Sequence, residues 1–226
     1  MDANSFVVIN VYSCSDYDLI ATLTHENDDD ENENKGHTEA VICLTVDDDG
    51  KLYSGSEDHT INVWNLSTNQ LIKTLRGHTN TVWCLEYHDG KLYSGSWDST
   101  IKIWNCRDYK LIKTLTEHTE PVCHLKIHGG KLYSGSWDST IKVWNCSDHE
   151  LVATLEGHTK GVYRLQIHDG KLYSGSQDET VNVWDCSDDT LLTTLGGHSD
   201  IVWDLAIGGG ELYSASEDHT IKMWKL

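Results

Sequence analysis

The sequence predicts an all-β fold in which one supersecondary unit is repeated along the chain. Tryptophan recurs every 40 residues, at Trp64, Trp104, Trp144, Trp184 and Trp224. Histidines run nearly in step with these tryptophans, at His37, His78, His118, His158 and His198. Short segments of alternating apolar and polar residues, separated by turn residues, fill each repeat and are typical of strands. A fixed period of this length indicates a solenoid or a propeller.

Each repeat is expected to form four short antiparallel strands. In the second full repeat we expect the first two strands at residues 82–87 and 91–95, joined by an Asp-Gly turn at 89–90. This dipeptide favours the two-residue hairpin turn that matches strand twist. Residues 101–104 alternate as a half-buried third strand should, and residues 111–115 form the fourth. No segment has a convincing helical period.

The chain is expected to contain five full repeats and one partial repeat at its N-terminus. Residues 8–12 match a third strand and residues 19–23 a fourth, whereas the chain ends just after the third strand at Trp224. We therefore expect residues 1–226 to form one domain, closed by the N-terminal fourth strand completing the last sheet, which would remove exposed edges. Strand exchange between copies, or a piece of a longer array, are the alternatives.

Composition restricts the class of partner. Lys and Arg number 17 and Asp and Glu 36, for a formal net charge of −19. Such a charge repels phosphate backbones and anionic membranes, so basic or neutral protein surfaces are the expected partners. Residues 24–35 contain the acidic run HENDDDENEN, which cannot bury itself and is expected to form a solvated loop inserted in the domain.

Targeting and redox chemistry are the next constraints. The N-terminus has no basic start, and no segment reaches the about 20 apolar residues of a membrane span, so we expect a cytoplasmic protein. The seven cysteines are odd in number and include no Cys-x-x-Cys pair, which favours reduced thiols over disulfides or zinc. The Gly-rich sites lack the context of a phosphate-binding loop. We expect no metal and no cofactor.

A Gly-His pair, an Asp in Ser-x-Asp-x-Thr about 20 residues later and a Trp six residues beyond it recur in register, although Glu117 replaces the Gly before His118. This pattern resembles the WD-repeat β-propeller family, and the resemblance covers the chain outside residues 24–35. The segment GKLYSGSWDSTIKVW also resembles the propellers of myosin heavy chain kinases and of F-box WD-repeat adaptors. The resemblance implies four-stranded blades and a role in protein interaction.

The resemblance further implies a hydrogen-bonded tetrad in every repeat, made of a His, a second-strand Ser, a turn Asp and a third-strand Trp. The expected sets are His37, Ser54, Asp58 and Trp64; His78, Ser94, Asp98 and Trp104; His118, Ser134, Asp138 and Trp144; His158, Ser174, Asp178 and Trp184; and His198, Ser214, Asp218 and Trp224. Ser, His and Asp also form hydrolase triads, but five equivalent sets favour a structural network over a catalytic site. His88, His128 and His168 fall at turns in different repeats, which favours solvated histidines over metal ligands.

Aromatic residues outside the tetrads are the candidate binding residues. By their offsets in the family they would lie on the face around the central channel, where protein ligands dock; they are Trp83, Trp97, Trp137, Tyr163 and Trp203, with the acids Glu57 and Glu217. Large rings anchor interfaces, and the acids favour a peptide or protein with basic and apolar residues. Packing of some rings between blades is the alternative, and a phosphopeptide clamp around Arg164 is a weaker hypothesis.

Two functions besides enzymes fit the sequence. We expect a non-catalytic interaction scaffold that binds a peptide or protein partner on this aromatic, acidic face. The alternative is a structural or engineered propeller whose main contacts are homo-oligomeric. The identical sequence KLYSGSWDSTIK at residues 91–102 and 131–142 suggests this alternative. Catalysis is not expected, because no nucleophile, metal cluster or phosphate loop breaks the repeat.

Overall fold

The computed structural model describes residues 9–12, 15, 19–23 and 36–226. These residues form strands and turns. Among them there is no helix with the length and the apolar character that a membrane span requires. The first two strands are β1 Ile9–Tyr12 and β2 Leu19–Leu23, which pair with each other. Val8 and the predicted acidic loop at residues 24–35 lie outside the described residues.

Five antiparallel sheets follow, and strands within each sheet lie side by side in chain order. The first two have the strands β3 Val41–Val46, β4 Lys51–Ser56, β5 Thr60–Asn65, β6 Gln70–Arg76, β7 Val82–His88, β8 Lys91–Ser96, β9 Ile101–Asn105 and β10 Leu111–Leu115. The next two have β11 Val122–His128, β12 Lys131–Ser136, β13 Ile141–Asn145, β14 Leu151–Leu155, β15 Val162–His168, β16 Lys171–Ser176, β17 Val181–Asp185 and β18 Leu191–Leu195. The last has three, β19 Val202–Gly208, β20 Glu211–Ser216 and β21 Ile221–Lys225. The predicted all-β fold of repeated four-stranded sheets is confirmed.

The chain divides into two compact units. The first consists of residues 1–98 and 102–112, and the second of residues 99–101 and 113–226.

Turn chemistry explains the short hairpins between first and second strands. Asp89 and Gly90, which join β7 to β8, have φ values of 47° and 69°. A type I′ turn needs positive φ at both central residues, and Asp-Gly meets this requirement at low cost. The tight turn fixes the register from His88 opposite Lys91 to Val82 opposite Ser96.

Within each unit, side chains between neighbouring sheets form the core. In the second unit, Ile141 and Val143 of β13 are fully buried and pack in one cluster with Leu165 and Leu172 of the following sheet. Burying each such side chain contributes about 1.5–3 kcal/mol. Packing between neighbouring sheets of one unit therefore contributes much of the stability of these sheets.

The structure does not show the expected completion of the last sheet by β2. Instead β2 pairs with β1, with Ile9 opposite Leu23 and Tyr12 opposite Leu19. Few residues separate β1 from β2, so closing this hairpin costs little chain entropy. The register also reproduces that of a third and fourth strand in a full sheet, where Ile141 lies opposite Leu155.

Candidate functional site

Each full sheet contains one hydrogen-bonded chain of Trp, Ser, His and Asp. In the sheet β11–β14, Trp144 Nε1 donates to Ser134 Oγ at 2.9 Å, and Ser134 Oγ lies 2.8 Å from His118 Nε2. His118 Nδ1 lies 2.6 Å from Asp138 Oδ2. A carboxylate only accepts hydrogen bonds, so Nδ1 carries a proton and, in the neutral imidazole, Nε2 accepts from the serine. Every member of the chain is then satisfied.

All five sets predicted as tetrads have this geometry. The Trp–Ser distances lie between 2.8 and 3.0 Å. The Nε2–Ser distances are 2.7 or 2.8 Å, and the Nδ1–Asp distances lie between 2.6 and 2.9 Å. The five serines are 0% exposed. No substrate carbonyl can reach a hydroxyl buried in this way, so the arrangement serves the fold rather than nucleophilic chemistry.

The turn aspartates are held as carboxylates. Burial by itself would raise the pKa of Asp138, but hydrogen bonds from His118 and Thr140 outweigh burial and lower the pKa well below its usual range. The same balance lowers the pKa of Asp58 and Asp178. Each carboxylate ties the loop before a first strand to the turn after a second strand, which positions the residue preceding it.

That preceding residue is Trp137 in the sheet β11–β14. Its backbone N–H donates to Pro121 O at 3.0 Å, which fixes the backbone beside the start of β11. The Trp137 side chain packs over Gly161 of the following sheet, where an added Cβ would lie 3.2 Å from the indole. The indole nevertheless remains 38% exposed. Packing on a neighbouring sheet and exposure to solvent, which the sequence presented as alternatives, thus occur together.

Three of the predicted binding residues form one aromatic cluster in the second unit. The ring centroids of Trp137 and Tyr163 are 5.9 Å apart, and those of Tyr163 and Trp203 are 4.6 Å apart in an edge-to-face arrangement. Trp203 is 45% exposed, and its Nε1 donates to Glu217 Oε2 at 3.2 Å. We call Trp137, Tyr163, Trp203 and Glu217 the aromatic cluster. Burial, and to a lesser extent the negative charge of Glu217, raise the pKa of Tyr163.

The first unit contains the remaining predicted binding residues. Trp83 and Trp97 stack with centroids 5.0 Å apart and an interplanar angle of 22°. Both rings are partly buried. Glu57 is exposed, and its backbone N–H bonds to Ala40 O at 2.9 Å in the same way as Trp137 bonds to Pro121.

An ion pair beside the aromatic cluster was not predicted. Arg164 Nε lies 2.7 Å from Asp204 Oδ1. Arg164 directly follows Tyr163 in the sequence, and Asp204 directly follows Trp203. The shared offset of these two residues was the available indication in the sequence. The Asp204 carboxylate neutralises the positive charge of the Arg164 guanidinium, which argues against a phosphopeptide clamp around Arg164.

The other candidate ligands stay separate. His88 and His128 are exposed at hairpin turns, and His168 Nε2 lies 3.5 Å from Asp169 Oδ2. Within residues 9–12, 15, 19–23 and 36–226, no three His, Cys, Asp or Glu side chains are grouped to hold a metal ion. The six cysteines in this part of the chain are free thiols.

Comparison with known families agrees with the repeat. The family described as WD domain, G-beta repeat (WD40) matches residues 31–65, 69–105, 109–145, 149–185 and 189–225. The chain belongs to the WD40 repeat family. The predicted WD-repeat family is thereby confirmed, and WD40 propeller domains generally act as protein-interaction scaffolds.

Individual WD40 relatives match parts of the chain. The crystal structure of the WD40 β-propeller domain of Doa1 matches with a TM-score of 0.70 and 30% identity, covering 81% of this chain and 64% of that one. The uncharacterized WD repeat-containing protein C126.01c of Schizosaccharomyces pombe is 40% identical over 86 residues, which is 35% of this chain and 22% of the relative. Human kinesin-like protein KIF21A is 49% identical over 53 residues, 24% of this chain and 3% of the relative. The chain thus matches about a fifth or less of these two relatives, and the finer resemblance to kinase and F-box adaptor propellers stays a prediction.

Proposed function

We propose that this WD40 chain is a non-catalytic scaffold that binds a peptide or protein segment at the aromatic cluster. The observation that carries the proposal is the contiguous arrangement of Trp137, Tyr163 and Trp203, in which both indoles remain more than a third exposed. Large aromatic rings bury much area at low entropic cost, which is why Trp and Tyr anchor interfaces.

The acidic side chain of Glu217 favours a partner with basic residues. Glu217 is exposed beside Trp203 and is ready to pair with a cation while it accepts from the indole. A Lys or Arg placed there would also lie over aromatic rings, which attract cations through their π faces. The net charge of −19 adds long-range attraction for a basic segment. The preferred ligand is therefore an extended peptide with an apolar side chain next to Lys or Arg.

The first unit supports a second contact of the same kind. The stacked pair Trp83 and Trp97 offers partly buried aromatic surface, and Glu57 supplies an exposed acid in that unit. We propose that this pair binds the same class of peptide separately and much more weakly than the aromatic cluster does.

A peptide-binding assay tests the proposal. The probes are fluorescent peptides that carry Leu or Phe flanked by Lys or Arg, with the same peptides carrying Glu in place of the basic residues as negative probes. Wild type should bind the basic peptides, Trp203→Ala should lose this binding, and Glu217→Gln should weaken it while keeping an acceptor for Trp203. Leu192→Ala, at an exposed apolar residue of β18 outside the cluster, is the matched control.

Two results would reject the site. Binding that keeps its wild-type affinity in the variant Trp137→Ala combined with Trp203→Ala would show that the aromatic cluster does not hold the peptide. Equal binding of the basic and acidic peptides would show that Glu217 does not select the partner. Thermal unfolding of each variant should stay close to wild type, because both indoles are substantially exposed.

A further inference from the structure

Two charged residues lie beside the rings of the aromatic cluster, at irregular points of the strand ladder. In β15 the register skips Tyr163 and resumes at Arg164 opposite Gly175, and in β19 it skips Trp203 and resumes at Asp204. A bulge sets two adjacent residues of one strand opposite a single residue of its neighbour, so each charged residue stays next to the ring before it. The two rings contact each other, and so do the two charged side chains. An aromatic row and a charged row therefore run side by side.

The charged pair breaks the repeat. The position of Arg164 and Asp204 is held by Cys43 in β3, Cys84 in β7 and His124 in β11, each after the same kind of register shift. Thiols are neutral near pH 7. A charge that served the fold would be expected in every sheet, whereas these two charges occur in the sheets that supply the last two rings of the aromatic cluster. Their placement points to binding.

His124 does not add a third charge to the row. Burial, and then the positive charges of Arg164 and Lys126, lower the pKa of His124 well below its ordinary value. The imidazole is therefore neutral near pH 7 and does not compete with Arg164 for the carboxylate of Asp204.

Arg164 occupies the acid that would otherwise face a ligand beside Trp203. Its Nε lies 2.7 Å from Asp204 Oδ1, but the N–H is not aligned for a hydrogen bond, so the contact is mainly electrostatic. Asp204 Oδ1 also accepts from Leu205 N at 2.8 Å, which holds the carboxylate in place. The two side chains are 38% and 57% exposed, so a ligand can approach the pair. A ligand cation there meets a neutral pair, whereas at Glu217 it meets a carboxylate.

We propose that Arg164 makes the aromatic cluster select a ligand with one basic residue beside its apolar residue rather than two. The inference rests on the proposed function, in which Glu217 receives the first cation. A second cation would have to approach Asp204, where the guanidinium already lies and repels it. Arg164 is thus a specificity-determining residue that acts by compensating one of the two acids next to Trp203.

Two matched peptides test the proposal by fluorescence anisotropy. The one-lysine peptide carries Lys on one side of Leu and Gln on the other, and the two-lysine peptide carries Lys on both sides. The measured quantity is the ratio of their affinities on the same protein, so any loss of folded protein cancels. Salt at about 0.15 M limits the long-range effect of the net charge.

The second lysine should raise the affinity of wild type by less than about twofold. In Arg164→Gln it should raise the affinity by about three- to fivefold, the range expected of an exposed ion pair with the released Asp204. Arg164→Lys keeps the charge and should keep the wild-type ratio, whereas Asp204→Asn should make the two-lysine peptide the weaker ligand. Lys171→Gln, at the exposed hairpin end of the sheet that contains Arg164, removes the same charge and is the matched control.

The outcomes separate this inference from the proposed function. Equal ratios in wild type and Arg164→Gln, with both peptides bound, overturn the selection by Arg164 and leave the peptide site standing. A Lys171→Gln ratio that rises as much as that of Arg164→Gln also overturns it, because the effect would then belong to net charge. A wild type that binds neither peptide refutes the proposed function and this inference together.

Discussion

Removing the hydroxyl at the centre of one tetrad should destabilise the chain far more than removing a hydroxyl at its surface. Ser134→Ala deletes the atom that accepts from Trp144 Nε1 at 2.9 Å and lies 2.8 Å from His118 Nε2. Ser134 also lies 3.3 Å from Lys142 O, a longer contact that the shorter bond to the imidazole outweighs. The substitution leaves Trp144 Nε1 and His118 Nε2 without this partner, and the two residues are only 2% and 5% exposed.

The size of the effect follows from that count. A buried polar group left without a partner costs about 1–3 kcal/mol, so two such groups give a loss of about 2–6 kcal/mol in the free energy of unfolding, and we take about 3 kcal/mol as the expected value. In a chain of this length each kcal/mol lowers Tm by about 2–4 °C, which predicts a decrease of about 6–12 °C. The equivalent change Ser214→Ala should cost less, because Trp224 in the last sheet is only partly buried and water can reach its indole.

Equilibrium urea unfolding of Ser134→Ala, wild type and the control Ser147→Ala measures this difference. Ser147 Oγ bonds to Asn145 Oδ1 at 2.7 Å in an exposed turn, so its loss should cost less than about 0.5 kcal/mol. In combination with Trp144→Phe, which removes the indole donor, Ser134→Ala should cost less than the sum of the two single changes. Equal losses for Ser134→Ala and Ser147→Ala, or strict additivity with Trp144→Phe, would refute the network.

Three further predictions concern acid, packing and thiol chemistry. The lowered pKa of Asp58, Asp138 and Asp178 contributes stability that is complete above their unfolded pKa of about 4 and is lost as the pH falls towards the folded value. The urea concentration at the unfolding midpoint should therefore decrease when the pH is lowered below about 4. A midpoint that stays constant down to about pH 2 would contradict this prediction. Gly135→Ala should cost about 1–3 kcal/mol, because its Cβ would lie 2.9 Å from Val162 Cγ1 of the next sheet, whereas Gly208→Ala meets no atom within 4 Å and should be close to neutral in the same urea assay. Burial raises the pKa of Cys43 to about 12 despite a hydrogen bond from Gly55, so alkylation followed by mass spectrometry should leave Cys43 unmodified until urea unfolds the chain; rapid labelling in the native state would refute its burial.

The repeat made most of the fold predictable, because periodic Trp and His residues fix which segments are equivalent. Residues 111–115 were predicted and found as a strand, while β7 extends to His88 because the ladder continues to the Asp89-Gly90 turn. Pairing of β2 could not be predicted from pattern. β1 has the sequence INVY and β21 begins IKMW, so both strands offer β2 a similar alternation of apolar and polar residues. The short connection between β1 and β2 favours their pairing because it costs little chain entropy, which the alternation does not reveal.

The candidate site was predictable in composition but not in geometry. Equivalent offsets identified Trp137, Tyr163 and Trp203, yet their contacts depend on the irregular register at the start of β15 and β19, between Val162 and Arg164 and between Val202 and Asp204. A bulge of this kind changes where the next side chain points, and no composition rule locates it. The Arg164–Asp204 pair was missed for the same reason.

The most direct test of the account is a titration of ¹⁵N-labelled protein, followed through the indole N–H resonances, with a peptide in which Leu is flanked by Lys and Arg. The Nε1–H signals of Trp137 and Trp203 should shift with the ligand, whereas those of Trp144 and Trp184, donated to buried serines, should stay in place. Shifts confined to other tryptophans, or no shift at saturating peptide, would contradict the proposed docking at the aromatic cluster.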